Sequence, residues 1–294
     1  MRLNDNMRGA ALMTGCVSAY VINDAFMKFL FSEIALFQAV FLRSIITVPP
    51  VLLMVWVTKV TLRNLAKQDI RLIWLRVGAE ICTTIAFLTA LKYMPLANVT
   101  AILQALPLAV TMAAALFLAE PIGWRRWSAI LVGFMGVLIV VRPGLDGFNV
   151  YSLSALAAII FITVREIATR KLAQEVPTIT VVLSTAIGSA VFAGIMMVGA
   201  EWHAVSTSSW LLLIGAAFAV LIATLLSVMA MRTGEIGFVS PFRYTSMLGA
   251  IGLGILMFGE WPDQPTLAGT LIIVMTGIYT FHREQKISRG VTAA

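Results

Sequence analysis

The 294 residues are 60% hydrophobic and 12% charged, with a mean hydropathy of +0.94, which leaves too little polar surface to cover a fold in water. The net charge of +7 is carried by short basic groups between apolar runs, so it speaks for topology and against a nucleic-acid partner. Two isolated cysteines (Cys16, Cys82) and two distant histidines (His203, His282) give neither a disulfide framework nor a metal set, and no cofactor is expected.

In chain order the apolar runs predict ten helical spans: about 9–30, 34–57, 72–91, 97–118 and 125–141, then 150–169, 178–199, 209–230, 237–258 and 265–282. Only helices or a closed barrel satisfy their own backbone inside a bilayer, and runs of this length exclude the ten-residue alternation of a barrel. Arg2 and Arg8 before an apolar run, with Met13-Thr14-Gly15-Cys16, resemble a lipoprotein leader. The apolar stretch before Cys16 is too short for one, so this run is read as the first span. Pro107 lies inside the fourth span, where its missing N–H frees a carbonyl and permits a kink.

Of the 21 basic residues, fourteen fall on the side of the amino terminus, three (Lys28, Lys92, Arg142) on the other, and four within spans. Basic residues are retained in the cytoplasm, so both termini are expected there.

The second half repeats the first. Leu91 to Pro143 aligns without a gap on Met231 to Arg283, with Lys92 over Arg232, Thr100 over Ser240, Gln104 over Tyr244 and Glu120 over Glu260. The earlier portions align at a slightly larger offset, setting Asp24 against Glu166, Lys28 against Arg170 and Glu33 against Glu175. Five spans per unit is an odd number, so the second unit enters the membrane in the opposite sense. The expected fold is an all-α integral membrane protein of two inverted five-helix repeats, residues 1–143 and 144–294, in which alternating access follows from exchange between the two halves.

These features carry a resemblance. Ten spans, with Phe41-Leu42-Arg43 in the second, Ala119-Glu120-Pro121 after the fourth, Pro241-Phe242-Arg243-Tyr244 in the ninth and Glu260-Trp261-Pro262 after it, are similar to the drug/metabolite transporter superfamily and its EamA-type branch. The resemblance covers essentially the whole chain. It implies a bacterial inner-membrane secondary transporter whose central cavity is lined by spans 1–4 and 6–9, with spans 5 and 10 packed behind.

Charges inside the bilayer are costly, about 2.5–3.5 kcal/mol each on insertion scales, so they face water, a partner or a ligand. Asp24, Arg43, Glu80 and Arg243 lie deepest; Arg76, Arg165 and Glu166 lie nearer the cytoplasmic ends. Asp24 with Lys28, Arg76 with Glu80, and Glu166 with Arg170 are each four apart, which predicts pairs along one helix. The repeat equivalence of Asp24 and Glu166 also allows them to act as opposed gates, and Lys28, Arg76, Glu80 and Arg165 join them as gating or coupling candidates. Arg43 and Arg243 have no acidic residue at helical spacing, so their partner is another helix or an anionic group of the cargo. Asn23, Gln38, Gln104 and Tyr244 add polar groups, and Phe41, Trp74 and Phe242 offer faces to a planar ligand; packing and bilayer contact compete for the aromatics.

The sequence has no G-x-x-x-x-G-K-[ST] loop, so a proton or a counter-substrate is the expected driving partner. The cargo is read as a small polar metabolite, with uptake of riboflavin or S-adenosylmethionine as in some relatives, against export of amino acids or drugs. A membrane enzyme on lipid-linked substrates is the reading from another class, but no histidine–carboxylate cluster at a membrane face supports it. The protein is expected as a monomer or homodimer in the lipid bilayer.

Overall fold

The computed structural model describes residues 3–59, 65–117, 124–143, 148–233 and 239–291. Ala119, Glu120 and Pro121 of the motif after the fourth span lie outside them. The described residues contain no strand. In the first half they form α1 (Leu3–Leu30), α2 (Leu36–Thr58), α3 (Lys67–Tyr93), α4 (Leu96–Leu103), α5 (Leu106–Phe117) and α6 (Trp124–Val141). In the second they form α7 (Ser152–Lys171), α8 (Thr178–Met196), α9 (Thr207–Arg232), a 3₁₀ turn (Ser240–Tyr244), α10 (Thr245–Phe258) and α11 (Gln264–Val291).

Seven of these stretches are long and apolar enough to cross a bilayer, α4 and α5 counting as one, and three shorter apolar helices supply the rest. Ten spans result. Several run past the predicted ends, because α1, α3 and α11 carry their charged termini as continuing helix.

The fourth span is broken within its length, and the described part of the ninth opens on a 3₁₀ turn. In the fourth, the Gln104 amide is shared between the carbonyls of Thr100 and Ala101, the Ala105 amide bonds three residues back to Ile102, and α5 starts with Pro107 in its first turn. The expected kink is thus a tightened 3₁₀ step just before the proline, where the chain has no i→i−4 donor to lose. In the ninth, the 3₁₀ turn begins Ser240-Pro241. Gln104 and Tyr244, which end the two broken steps, are repeat equivalents. Interrupted spans of this kind leave backbone and side chains free to line a cavity.

The helices pack as a two-fold inverted pair. Contacts of α1 with α9 have their counterpart in α7 with α3. Those of α1 with α10 are matched by α7 with α4 and α5, and those of α2 with α9 by α8 with α3. Three pairs, α2 with α8, α4 with α10, and α6 with α11, join each span to its own equivalent. The most extensive contacts therefore link one repeat to the other, and the repeats interleave.

The apolar core differs between the two ends of the bundle. At the end where α1 finishes, one cluster draws residues from seven helices, among them Leu30, Ala39, Leu91, Leu96, Ala193, Leu213 and Ala250. At the amino-terminal end the core is split into separate groups around Ile73 and Val181, around Met13 and Met231, and around Val51 and Leu183.

The α6–α11 pair depends on glycine. A β-carbon on Gly269 would stand 2.6 Å from the Gly136 carbonyl oxygen, and one on Gly136 2.9 Å from that of Gly269. Neither backbone can yield without parting the helices. Gly269→Val is expected to cost about 1–3 kcal/mol through overpacking, read as a lower unfolding temperature of the detergent-purified protein. Gly252→Ala, whose β-carbon meets nothing within 4 Å, should leave it unchanged.

Candidate functional site

A cavity of about 140 Å³ lies between the broken spans. Its walls come from α1, α2, α3, α4, α5, α7, α9, α10 and the 3₁₀ turn; among the described residues α6 and α11 contribute none, and neither does α8, the seventh span, which was expected in the lining. The lining is mostly apolar, with seven sequence candidates set into it: Asn23, Asp24, Arg43, Glu80, Gln104, Arg165 and Arg243.

Two polar groups organise the charges. Toward the end of α1, Arg43 Nη1 donates to Asn23 Oδ1 at 2.9 Å, and Asn23 Nδ2 donates to Asp24 Oδ1 at 2.9 Å. The asparagine bridges guanidinium and carboxylate. Deeper, Arg165 Nη1 lies 2.8 Å from Glu80 Oε2, and Arg243 Nη2 lies 2.7 Å from Glu166 Oε1, which Arg165 also approaches at 3.9 Å. Arg76 stands beside this group, donating from Nε to Thr169 Oγ1 at 2.8 Å and from Nη1 to Thr185 Oγ1. Across the break, Gln104 Nε2 donates to Ser246 Oγ at 3.1 Å, and Ser246 Oγ donates to the Arg243 carbonyl at 2.7 Å.

None of the three predicted pairs along one helix is the pairing observed. Lys28 meets Glu260, Glu80 meets Arg165, Glu166 meets Arg243, and Arg76 meets threonines. Residues four apart share a face, but in a bilayer both must still point away from lipid, and there other helices supply better-placed partners. Arg43 and Arg243 do take theirs from other spans.

Other candidates stand away from the cavity. Tyr244 packs against α11 at Gly277, where a β-carbon would collide with its hydroxyl, and belongs to the apolar cluster there. Trp74 is 71% exposed on the bilayer side of α3. Phe41 stacks edge-on with Trp202 at 5.9 Å. Gln38 staples the chain before α9, its amide donating to the His203 carbonyl at 2.7 Å and its carbonyl accepting from the His203 N–H at 3.0 Å. The cavity instead presents Tyr20, Thr83, Phe87 and Thr100, which the search for charges passed over. Helical phase points to most of them: Tyr20 lies four residues before Asp24, and Thr83 and Phe87 lie three and seven after Glu80.

Two buried polar atoms in this wall lack a hydrogen-bond partner, Thr83 Oγ1 and Arg243 Nη2. The second holds its carboxylate as a charge contact without hydrogen-bond direction. Counting Arg76 and Glu166 just behind the lining, four guanidiniums, of Arg43, Arg76, Arg165 and Arg243, stand against three carboxylates, of Asp24, Glu80 and Glu166, which leaves the group one positive charge in excess.

Comparison with known proteins decides the family. A sequence model described as the EamA-like transporter family matches residues 7–142 and again 150–281. This chain belongs to the EamA-like transporter family. Among curated members of similar sequence, the riboflavin transporter of Vibrio cholerae is 30% identical over 217 residues, 73% of this chain and 72% of that one. The S-adenosylmethionine uptake transporter of Rickettsia conorii is 26% identical over 67% of this chain and 66% of its own length. The pseudopaline exporter CntI of Pseudomonas aeruginosa is 24% identical over 73% and 76%. A solved crystal structure superposes with a TM-score of 0.67 over 94% of this chain and 98% of its own, at 17% identity, and thus has the same fold. The EamA-type chain is a multi-pass membrane protein related to carriers of small molecules.

Proposed function

We propose that this EamA-type protein is a secondary transporter that carries a small polar organic metabolite across the bacterial inner membrane by alternating access, with both termini in the cytoplasm. The observation that carries the reading is a mid-membrane cavity between two inverted repeats, walled by buried charges from both halves. A static anchor has no use for such charges, each of which disfavours the bilayer. The split core at the amino-terminal end and the merged core at the other favour a state in which the cavity faces the cytoplasm.

The cargo is a planar, neutral or anionic metabolite bearing hydrogen-bond acceptors. Thr83 provides a hydroxyl without a hydrogen-bond partner, Arg243 a guanidinium held by Glu166 as a charge contact, Gln104 a carboxamide and Phe87 a ring face. Of the molecules named for the relatives, riboflavin matches this lining better than S-adenosylmethionine, whose sulfonium would meet the excess of guanidiniums. Asp24, Glu80 and Glu166 are the carboxyl groups available for proton coupling, and exchange against a counter-substrate is the other driving mode.

Counterflow into proteoliposomes tests the reading. Vesicles preloaded with unlabelled riboflavin, S-adenosylmethionine or an amino-acid mixture are expected to accumulate the matching labelled compound in one case. Binding without accumulation for every class in the panel would speak for a receptor or helper subunit. Thr83→Val, which keeps the shape and removes the hydroxyl, is expected to raise the half-saturation concentration roughly three- to tenfold, the worth of one hydrogen bond, with little change in maximal rate. An unchanged half-saturation value would remove Thr83 from the cargo site.

A further inference from the structure

Toward the end of α1, beyond the cavity lining, a cluster of polar contacts accompanies the merged apolar core. Gly259, at φ 64°, ends α10 in the left-handed conformation. Its N–H bonds the Ile255 carbonyl at 3.1 Å, and the next N–H, of Glu260, bonds the Gly254 carbonyl at 3.0 Å. That turn folds Glu260 back over the helix end. Its Oε2 then accepts the N–H of Leu96 at 2.9 Å, an otherwise orphaned amide in the first turn of α4, and its Oε1 lies 2.6 Å from Lys28 Nζ. Lys28 Nζ also donates to the Met94 carbonyl at 2.7 Å and stands 5.2 Å from the centre of the Phe258 ring. One carboxylate and one ammonium thus tie together α1, α10 and the α3–α4 connection, three of the elements that wall the cavity.

We propose that the Glu260–Lys28 pair is the periplasmic latch of the transport cycle, and that the cavity opens to the periplasm when Glu260 releases Lys28 and the start of α4. This rests on the alternating-access reading above. The geometry suits release. With side chains 11% and 24% exposed, the pair is largely but not wholly withdrawn from solvent, so each partner keeps an exposed edge through which water can replace the other. All of its partners lie on separate elements, so one rupture frees three walls at once. The same two charge signs recur at the repeat-equivalent positions Arg170 and Glu120, the second of which lies outside the described residues. The inverted halves therefore carry the charge pattern twice, once toward each face.

The test reads access directly and needs no cargo. Thr100→Cys places one thiol in the cavity wall, in a background where Cys16 and Cys82 are alanine. The reagent is a membrane-impermeant maleimide applied to vesicles of known sidedness. Adding Glu260→Gln, which removes the charge and keeps the size, is expected to raise labelling from the periplasmic side about tenfold and to lower it from the cytoplasmic side. Lys28→Met should do the same, and it serves if the glutamine variant does not purify as a single species. Arg142→Gln is the control: it breaks the Arg142–Asp263 bridge at the same face, between the end of α6 and the start of α11, and should leave access unchanged. The proposal is overturned if both latch variants label from the periplasmic side at the parental rate, or if Arg142→Gln raises labelling equally. Because labelling does not depend on turnover, a shift in access without counterflow would retain the latch and count against the transport reading alone.

Discussion

Replacing Arg243 by methionine is expected to end counterflow and, in the same protein, to lower stability substantially. Glu166 is 4% exposed, with Arg243 at 2.7 Å and Arg165 at 3.9 Å as its cationic neighbours. Removing the nearer cation leaves a carboxylate in the bundle interior with one distant neighbour already engaged by Glu80. Breaking a buried pair costs about 3–5 kcal/mol, most of it the penalty of the stranded charge, and Arg165 should moderate that toward the lower figure. The double variant Arg243→Met, Glu166→Gln removes both charges and should regain a large part of the loss, a coupling on the order of 2 kcal/mol in a double-mutant cycle of melting temperatures. Counterflow is not expected to return with the stability, because the donor offered to the cargo is still missing. Recovery of exchange alongside folding would make the Arg243–Glu166 pair a scaffold and nothing more.

The fold was legible because its determinants are coarse. Span number follows from apolar runs, the membrane sense of the second half follows from an odd count, and the break in the fourth span follows from Pro107. The candidate site was legible only as far as polarity in an apolar run marks it. Asn23, Asp24, Arg43, Glu80, Gln104, Arg165 and Arg243 are conspicuous in an apolar chain, and the structure brings them to one cavity. Their pairing was not legible, since the partner of a buried charge is fixed by how helices far apart in sequence are set side by side. Arg165 and Glu80 are 85 residues apart, and no local spacing encodes that. Uncharged residues needed the helical phase as well. Gln104 and Tyr244 are repeat equivalents, yet one side chain faces the cavity and the other faces α11, because the two breaks differ: a 3₁₀ step inside a continuing helix and a 3₁₀ turn that starts one.

Neutralising Asp24 should separate its charge from its place in the scaffold. Asn23 holds its carbonyl toward Arg43 because its amide nitrogen is anchored on Asp24, and both residues are buried, at 2% and 8% exposure. Asp24→Asn keeps an acceptor for that amide, so the bridge survives and the melting temperature should fall least of the three, by the lost counter-charge of Arg43 alone, which Glu80 still offsets in part. Asp24→Leu removes the acceptor and should cost about 1–3 kcal/mol for an unsatisfied buried donor. Asn23→Leu takes away the oxygen that Arg43 donates to and should cost the most of the three, since it strands a charged group. Counterflow is expected to follow a different order. Asp24→Asn should already lose about a hundredfold, near 2.7 kcal/mol at the rate-limiting barrier, because Arg43 then faces the cavity without its neutralising neighbour and stays bound to an anionic cargo or to Glu80, whose field it also shares. A graded fall in exchange that simply tracks melting temperature across the three variants would place Asp24 in the scaffold. An Asp24→Asn protein that is stable and inactive would place its charge in the transport cycle.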